Sequence, residues 1–566
     1  MYAAEKLRAE CMGLLEAAMG KDSYSSSLPK IRLEKPPKGI GADLALPCFA
    51  ISGNENPAAF ASRISQEINS RIAKKSMVRK AEPSGPYVNF TAGSSYAKAA
   101  VREILSKKLK YGSRPRNGKT IIIDYSSPNI AKPMNIGHLR STIIGQSIYN
   151  TYSFLGYKCI GDNHLGDWGT QFGKLMAAFS MWGDAERLKK EGIRYLTELY
   201  VRFHEEEKKD EKLGEDGRAW FRKLETGDAE ATRLWKIFFA MSMEEFQKVY
   251  ALLNVKFDMA RGESSYYKEG LALVSNLRKN GMAEESDGAV IIKFRDESLP
   301  PLVIQKSDEA TLYSTRDLAC IKYRNRFHPH ALVYVIGSEQ KLYLRQLFEA
   351  ARMMGFRFGM VHVDFGLYTI EGAKMSTRSG KFVLLNDLLE ESITRAGRII
   401  EEKNPSLVGR DDVARKVGVG AVIFNDLKQE RIKSIDFDWE KVLNFEGDSC
   451  PYLQYAYVRT NSILEKAPSE KRSGGRRNLE WGREEMDLAK KLADFPMVIE
   501  SAAQQYKPSV IAQYLLDVAT LFSEFYSSSR VIGSEREQER LGLVESTGIV
   551  IRNGLWLLNI EAPEKM

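Results

Sequence analysis

The chain has 566 residues, 43% hydrophobic, 28% charged and 10% aromatic, a balance that excludes fibrous and disordered chains. That length predicts roughly three to four domains, and no run of about 18 uncharged apolar residues occurs, so no membrane span is expected and the cytoplasm is the expected location. The net charge of +9, from 83 Lys+Arg against 74 Asp+Glu, names no partner unless it clusters on one face. The five cysteines, Cys11, Cys48, Cys159, Cys320 and Cys450, form no C-x-x-C pair, which argues against a zinc ribbon and a disulfide framework.

Residues 1–112 read as a small α+β unit. A charged, amphipathic first helix is expected through Leu7, Leu14, Leu15 and Ala18, in place of a leader peptide. A second helix follows Pro57, with Phe60, Ile64, Ile68 and Ile72 at helical spacing. PSGPYVNFTA (83–92) opens with turn residues and then predicts a strand through Tyr87, Val88 and Phe90, and a Lys-rich helix leads to the Gly- and Pro-containing link YGSRPRNGKT.

From there strands and helices alternate. TIIIDY (120–125) predicts a buried parallel strand, Leu139 to Leu155 a helix, and KCIG (158–161) the next strand, a βαβ opening. Later strands are expected at GAVIIKF (288–294), LVIQ (302–305), ALVYVIGS (331–338) and MVHVDFGLY (360–368). A charged helical stretch at about 184–262 reads as an insertion. From Asn386 only helices are expected: Leu388 to Ile400, Asp411 to Leu427, Pro451 to Leu464, Arg483 to Gln504, Pro508 to Ser528 and Glu537 to Leu558, with a basic linker at 466–478. The expected fold class is α/β: a Rossmann-like, doubly wound parallel-sheet domain over 113–385 carrying the helical insertion, between an N-terminal α+β domain (1–112) and an all-α C-terminal domain (386–566).

Ligands of such sheets bind beyond the carboxyl ends of the strands, where helix N-termini attract phosphate. That position holds Asn135-Ile136-Gly137-His138. Gly137 allows close backbone approach and His138 can donate to phosphate oxygens; taken alone, the motif fits a helix cap with a surface histidine better. Lys374-Met375-Ser376-Thr377-Arg378-Ser379-Gly380 follows a predicted strand, with Gly372 before it. It suits a mobile polyphosphate grip or a solvated basic loop. His328-Pro329-His330 lacks further ligand types nearby, so no structural metal is expected.

Together, the x-x-G-H and K-M-S-x-R motifs are the paired signature of class I aminoacyl-tRNA synthetases. The stretches SSPNIAKPMNIGHLRSTIIG, GDNHLGDWGTQFGKL, LYSTRDLA, KMSTRSGKFVLL, CPYLQYAYVR and EAPEKM resemble the arginyl-tRNA synthetases over nearly the whole chain. The resemblance implies ATP-driven, tRNA-dependent activation of L-arginine and transfer to the 3′ end of tRNA(Arg), with Mg²⁺ arriving on ATP and a monomer as the working unit. It implies that Asp124, Ser127, Asn129, Tyr313, Asp317 and Gln340 contact arginine. A guanidinium is a fork of donors and needs such acceptors.

For ATP, the resemblance implies Asn135, Gly137, His138, Lys374, Met375, Ser376 and Arg378, the catalytic residues being His138, Asn135 and Lys374. Around the anticodon it implies Tyr452, Tyr455, Arg459, Tyr526 and Met566, and at the tRNA elbow Tyr87 and Asn89; helix-core packing is the competing reading for Tyr452, Tyr455 and Tyr526. The chain departs from the family at Asn135, usually His, and at Thr377-Arg378, where the last basic position is usually Lys. Lys132 stands close enough in sequence to supply the missing cation. Other class I synthetases share both motifs, but the Asp124 and Asp317 pair and the N-terminal domain favour arginine. A non-enzymatic tRNA-binding relative is disfavoured because His138 and Lys374 are both present, and a simple nucleotidylyltransferase leaves the helical C-terminal region unexplained.

Overall fold

Five parallel strands position everything that follows. The computed structural model describes residues 1–37, 39–307, 311–370, 373–374, 384–445, 447–467 and 481–566, giving only the backbone of 369–370 and 373–374. The sheet runs in the order Gly359–Phe365, Ala331–Gly337, Thr120–Asp124, Lys158–Asn163, Met259–Ala260, every neighbouring pair parallel. Ile121, Ile122 and Ile123 are all buried, as a parallel strand covered on both faces requires. The Ile136–Phe154 helix crosses from the central strand to Lys158–Asn163, and the order then reverses toward Ala331–Gly337. That reversal opens a crevice at the carboxyl ends of the strands.

The expected insertion is present as the helices Ala185–Glu191, Ile193–Glu207, Lys212–Glu225 and Ala229–Leu252. The sheet's edge strand, Met259–Ala260, falls within the range assigned to it. Two predicted strands belong elsewhere. Ala289–Ile292 and Leu302–Gln305 join Glu284–Ser286 in a separate antiparallel sheet, not the parallel one. Short apolar runs do not distinguish these arrangements, but the turn between the first two strands does: Asp287 and Gly288 have φ of 52° and 77°, the left-handed pair of a two-residue hairpin.

In the N-terminal unit, the turn and following strand read over 83–92 form as the second half of a hairpin. Val78–Ser84 turns at Gly85 and returns as Tyr87–Ala92, which also pairs with Leu44–Pro47. Tyr111 is buried and its hydroxyl donates to the Leu492 carbonyl at 3.2 Å, while Lys490 meets Asp43 at 2.8 Å, so this unit is fastened to the C-terminal helices.

The C-terminal helices form nearly as expected, with two corrections. The stretch from Arg483 divides into Arg483–Ala493 and Phe495–Gln505, because Pro496, which has no N–H, starts a new helix. The region is also not purely helical: Ile435–Asp436 pairs in parallel with Tyr368–Ile370. Among the described residues no helix is long and apolar enough to cross a membrane.

Candidate active site

The loop leaving the central strand is strained and tightly held. Ser126, Ser127 and Ala131 have φ of 71°, 45° and 63°, a left-handed conformation costly for residues with a Cβ. Hydrogen bonds hold it there. Ser126 N donates to Ser141 Oγ at 2.9 Å, Ser127 N to Asn163 Oδ1 at 3.0 Å, and Ala131 N to Ser242 Oγ at 2.8 Å. Asn129 bridges to Gly166, where a Cβ would stand 2.3 Å from Asn129 Oδ1; glycine there lets Asn129 lie on the neighbouring backbone while remaining exposed.

Asn135 is the N-cap of the Ile136–Phe154 helix, its Oδ1 accepting from Gly137 N at 2.9 Å. The cap reading is therefore true of Asn135, and its Nδ2 is the end that can still donate. His138 Nδ1 accepts from Asn135 N at 3.1 Å, which leaves any ring proton on Nε2. Burial lowers the His138 pKa to about 4, and the Lys132 charge adds to the lowering. His138 is thus a neutral imidazole presenting an Nε2–H at a helix start whose Gly137 and His138 N–H groups are already taken by Asn135. Lys132 Nζ lies 4.8 Å above the Tyr200 ring of the insertion.

The acidic pocket is built on the Tyr313–Arg324 helix. Asp317, one turn after the half-exposed Tyr313, accepts from the Tyr343 hydroxyl and lies 3.3 Å from His164 Nε2. Burial opposes the charge of Asp317, but His164, Tyr343 and Arg316 outweigh it and hold the carboxyl below the usual carboxylate range. Burial likewise opposes a charged His164, yet Cys320 and Asp317 raise its pKa. The Tyr313 and Tyr343 rings meet edge to face at 4.7 Å, and Gln340 is exposed in the turn after Ala331–Gly337.

Asp124, which the resemblance assigns to arginine, ends the central strand. In register it stands beside Asp162 and Tyr334, and the guanidinium it meets is the protein's own: Arg324 Nη2 lies 2.6 Å from Asp124 Oδ2 and 2.7 Å from Asp162 Oδ2. Its other oxygen accepts from Ser127 Oγ at 2.8 Å. Buried carboxylates cannot stand unpaired, so the Asp124–Asp162 pair requires this internal cation.

The second motif is only partly described. Lys374 pairs by backbone with Thr369; Met375, Ser376 and Arg378 lie outside the described residues, as does most of the basic linker.

At the far end of the helical region Tyr455, Arg459, Tyr526 and Met566 line one groove of about 600 Å³. The Arg459 guanidinium sits 4.7 Å from the Tyr455 ring and 5.1 Å from that of Tyr526, both rings 42% exposed. Tyr452 is half-buried against the core instead. In the N-terminal unit Tyr87 is exposed beside Phe49, while Asn89 is buried. Sequence reasoning assigned nothing to His164, Tyr343 or Arg324. His164 lies in the GDNHLGDWG stretch, but its partner comes from a helix more than a hundred residues later. Among the described residues no group of three or more His, Cys, Asp or Glu could hold a metal ion.

A family model for the catalytic domain of tRNA synthetases class I (R) matches residues 100–439, and one for the DALR anticodon binding domain matches 453–566. An arginine–tRNA ligase of Exiguobacterium sp. is 45% identical over 543 residues, 94% of this chain and 95% of that protein. One from Clostridium botulinum is 42% identical over 544 residues, 94% and 96% of the two chains. The solved arginyl-tRNA synthetase of Thermus thermophilus superposes with a TM-score of 0.79 at 25% identity, covering 96% of this chain and 99% of that one.

Proposed function

The chain belongs to the arginyl-tRNA synthetases, and from that premise we propose how its residues join arginine to tRNA(Arg). One observation carries the reading: the Asp317 pocket and the His138 helix start both open at the carboxyl ends of one parallel sheet.

L-Arginine enters with its guanidinium on Asp317, a charge-assisted and directional contact. Tyr313 and Gln340 flank it, and Asn129 with Ser127 takes the amino-acid end. Asp124 acts one layer beneath, through Ser127. ATP enters as its Mg²⁺ complex and lays its phosphates over the helix start that Gly137 leaves open, where the neutral His138 Nε2–H and Asn135 Nδ2 donate to them. Lys132 adds a positive charge, and Lys374 with Met375, Ser376 and Arg378 attends the departing pyrophosphate.

A carboxylate oxygen of arginine attacks the α-phosphorus, and the bond to pyrophosphate breaks as the adenylate forms. The donors around His138 face the charge that builds on the phosphate oxygens and need no reorganisation to do so. The 3′-terminal ribose hydroxyl of tRNA then attacks the arginyl carbonyl carbon, and AMP leaves. The Tyr455–Arg459–Tyr526 groove, with Tyr452 behind it and Met566 at its rim, receives anticodon bases by stacking. Tyr87, supported by Asn89, meets the tRNA elbow, and activation waits for bound tRNA. The working state is a cytoplasmic monomer.

The test is ATP–pyrophosphate exchange with each amino acid, with and without tRNA(Arg). Exchange should occur with arginine and depend on tRNA. No exchange with arginine under either condition would falsify the reading.

A further inference from the structure

Arg140 lies one helical turn inside the Ile136–Phe154 helix and is wholly buried. Burying a guanidinium calls for acceptors; Nη2 of Arg140 has none, and those that Nη1 and Nε meet come from three distant segments. Its Nη1 donates to the Gly366 carbonyl and to the Lys433 carbonyl, both at 2.8 Å. Its Nε lies 3.2 Å from a carboxylate oxygen of Asp426, in the last turn of the Arg410–Leu427 helix; both side chains are 1% exposed. The rings of Phe365 and Tyr368 lie 5.8 and 5.7 Å from the guanidinium carbon.

These segments are the root of the second signature. Gly366 is pressed onto residues 432 and 433 so closely that a Cβ would meet the Ile432 carbonyl oxygen at 2.7 Å. Three residues on, Thr369 pairs with Lys374 on one side and Asp436 on the other. Arg140 therefore fastens the helix that carries His138 to the segment leading into the Lys374 strand and to the end of the Arg410–Leu427 helix.

We propose that Arg140 is a positioning residue, which with Asp426 sets the Lys374 strand in register with the His138 helix start so that both signatures reach one ATP. This rests on the ligase reading above. It goes further by making the rate of activation depend on a buried ion pair that touches no substrate.

Arg140→Met/Asp426→Leu removes both charges together, a replacement a buried pair tolerates far better than the loss of one partner. Asp426→Asn, which keeps the shape, is the second variant and decides the matter alone if the first does not fold. Arginine-dependent exchange, measured with saturating tRNA, should lose about tenfold or more in kcat, as misplacement by an ångström does, with the arginine KM and tRNA affinity nearly unchanged. The loss should also shrink in a Lys374→Ala background, because residues acting as a unit are not additive. Folded variants whose kcat stays within about twofold of the parent, or whose losses multiply fully with Lys374→Ala, overturn the proposal. Absence of exchange in the unaltered protein would instead count against the ligase reading.

Discussion

Arg324 and Asp124 close on each other at 2.6 Å with both side chains buried, so a guanidinium already occupies the carboxylate that stands at the end of the central strand. Under the proposed reading, Asp317 is then the carboxylate that meets the guanidinium of the substrate. The two acids should answer differently to the same substitution.

Asp317→Asn should raise the arginine KM by roughly 10- to 150-fold, the equivalent of about 1.5–3 kcal/mol for one charged partner of a guanidinium. The ATP KM should change little. The same substitution removes a charge that keeps His164 protonated, so the His164 imidazole should titrate at lower pH by NMR. An unchanged arginine KM would remove Asp317 from the pocket.

Asp124→Asn should act chiefly on stability. Arg324 keeps Asp162, so the cost belongs near about 3 kcal/mol, the lower end for breaking a buried pair. A fall in melting temperature is expected, with a smaller rise in arginine KM than for Asp317→Asn. The reverse ranking of the two KM values would return Asp124 to direct substrate contact.

The pKa of His138 falls from 6.5 to about 4 on folding, so between these values the unfolded chain binds more protons than the folded one. Its neutral state therefore contributes stability above pH 6.5 that is lost as pH falls toward 4. The parent should lose melting temperature faster than His138→Gln across that window. Parallel curves would mean that His138 titrates normally.

Asn135→Ala should cost about 0.5–2 kcal/mol through the lost cap and also slow single-turnover adenylate formation, less than His138→Ala does. Asn135→Ser keeps an oxygen for Gly137 N, so it should recover stability without the Nδ2 donor. Asn135→His should keep activity. Adenylate formation in Asn135→Ser equal to the parent would leave Asn135 as a cap alone.

Tyr526→Ala should weaken tRNA(Arg) binding by about 1–3 kcal/mol with no loss of melting temperature, because the ring is exposed. Tyr452→Ala, half-buried against the core, should lower the melting temperature. Were Tyr526→Ala to melt early and bind normally, the ring would be packing rather than platform.

The sequence by itself determined the elements whose signals are local. Ile121–Ile123 announce a buried strand, Asn135 to His138 a helix start, and apolar spacing the C-terminal helices. Periodicity and capping act over a few residues, so a linear reading reaches them. Pairings between distant segments were decided only by the tertiary structure. Ala289–Ile292 looks like a parallel strand until the Asp287–Gly288 turn folds it onto Glu284–Ser286. Asp124 reads as a free acid until Arg324 arrives, Asp317 as a helix-start residue until His164 and Tyr343 converge on it, and Arg140 as an ordinary helical residue until Asp426, Gly366 and Lys433 enclose it. The physical reason is the same in each case: a buried charge must find its partners, and spacing along the chain carries no record of which segments will supply them.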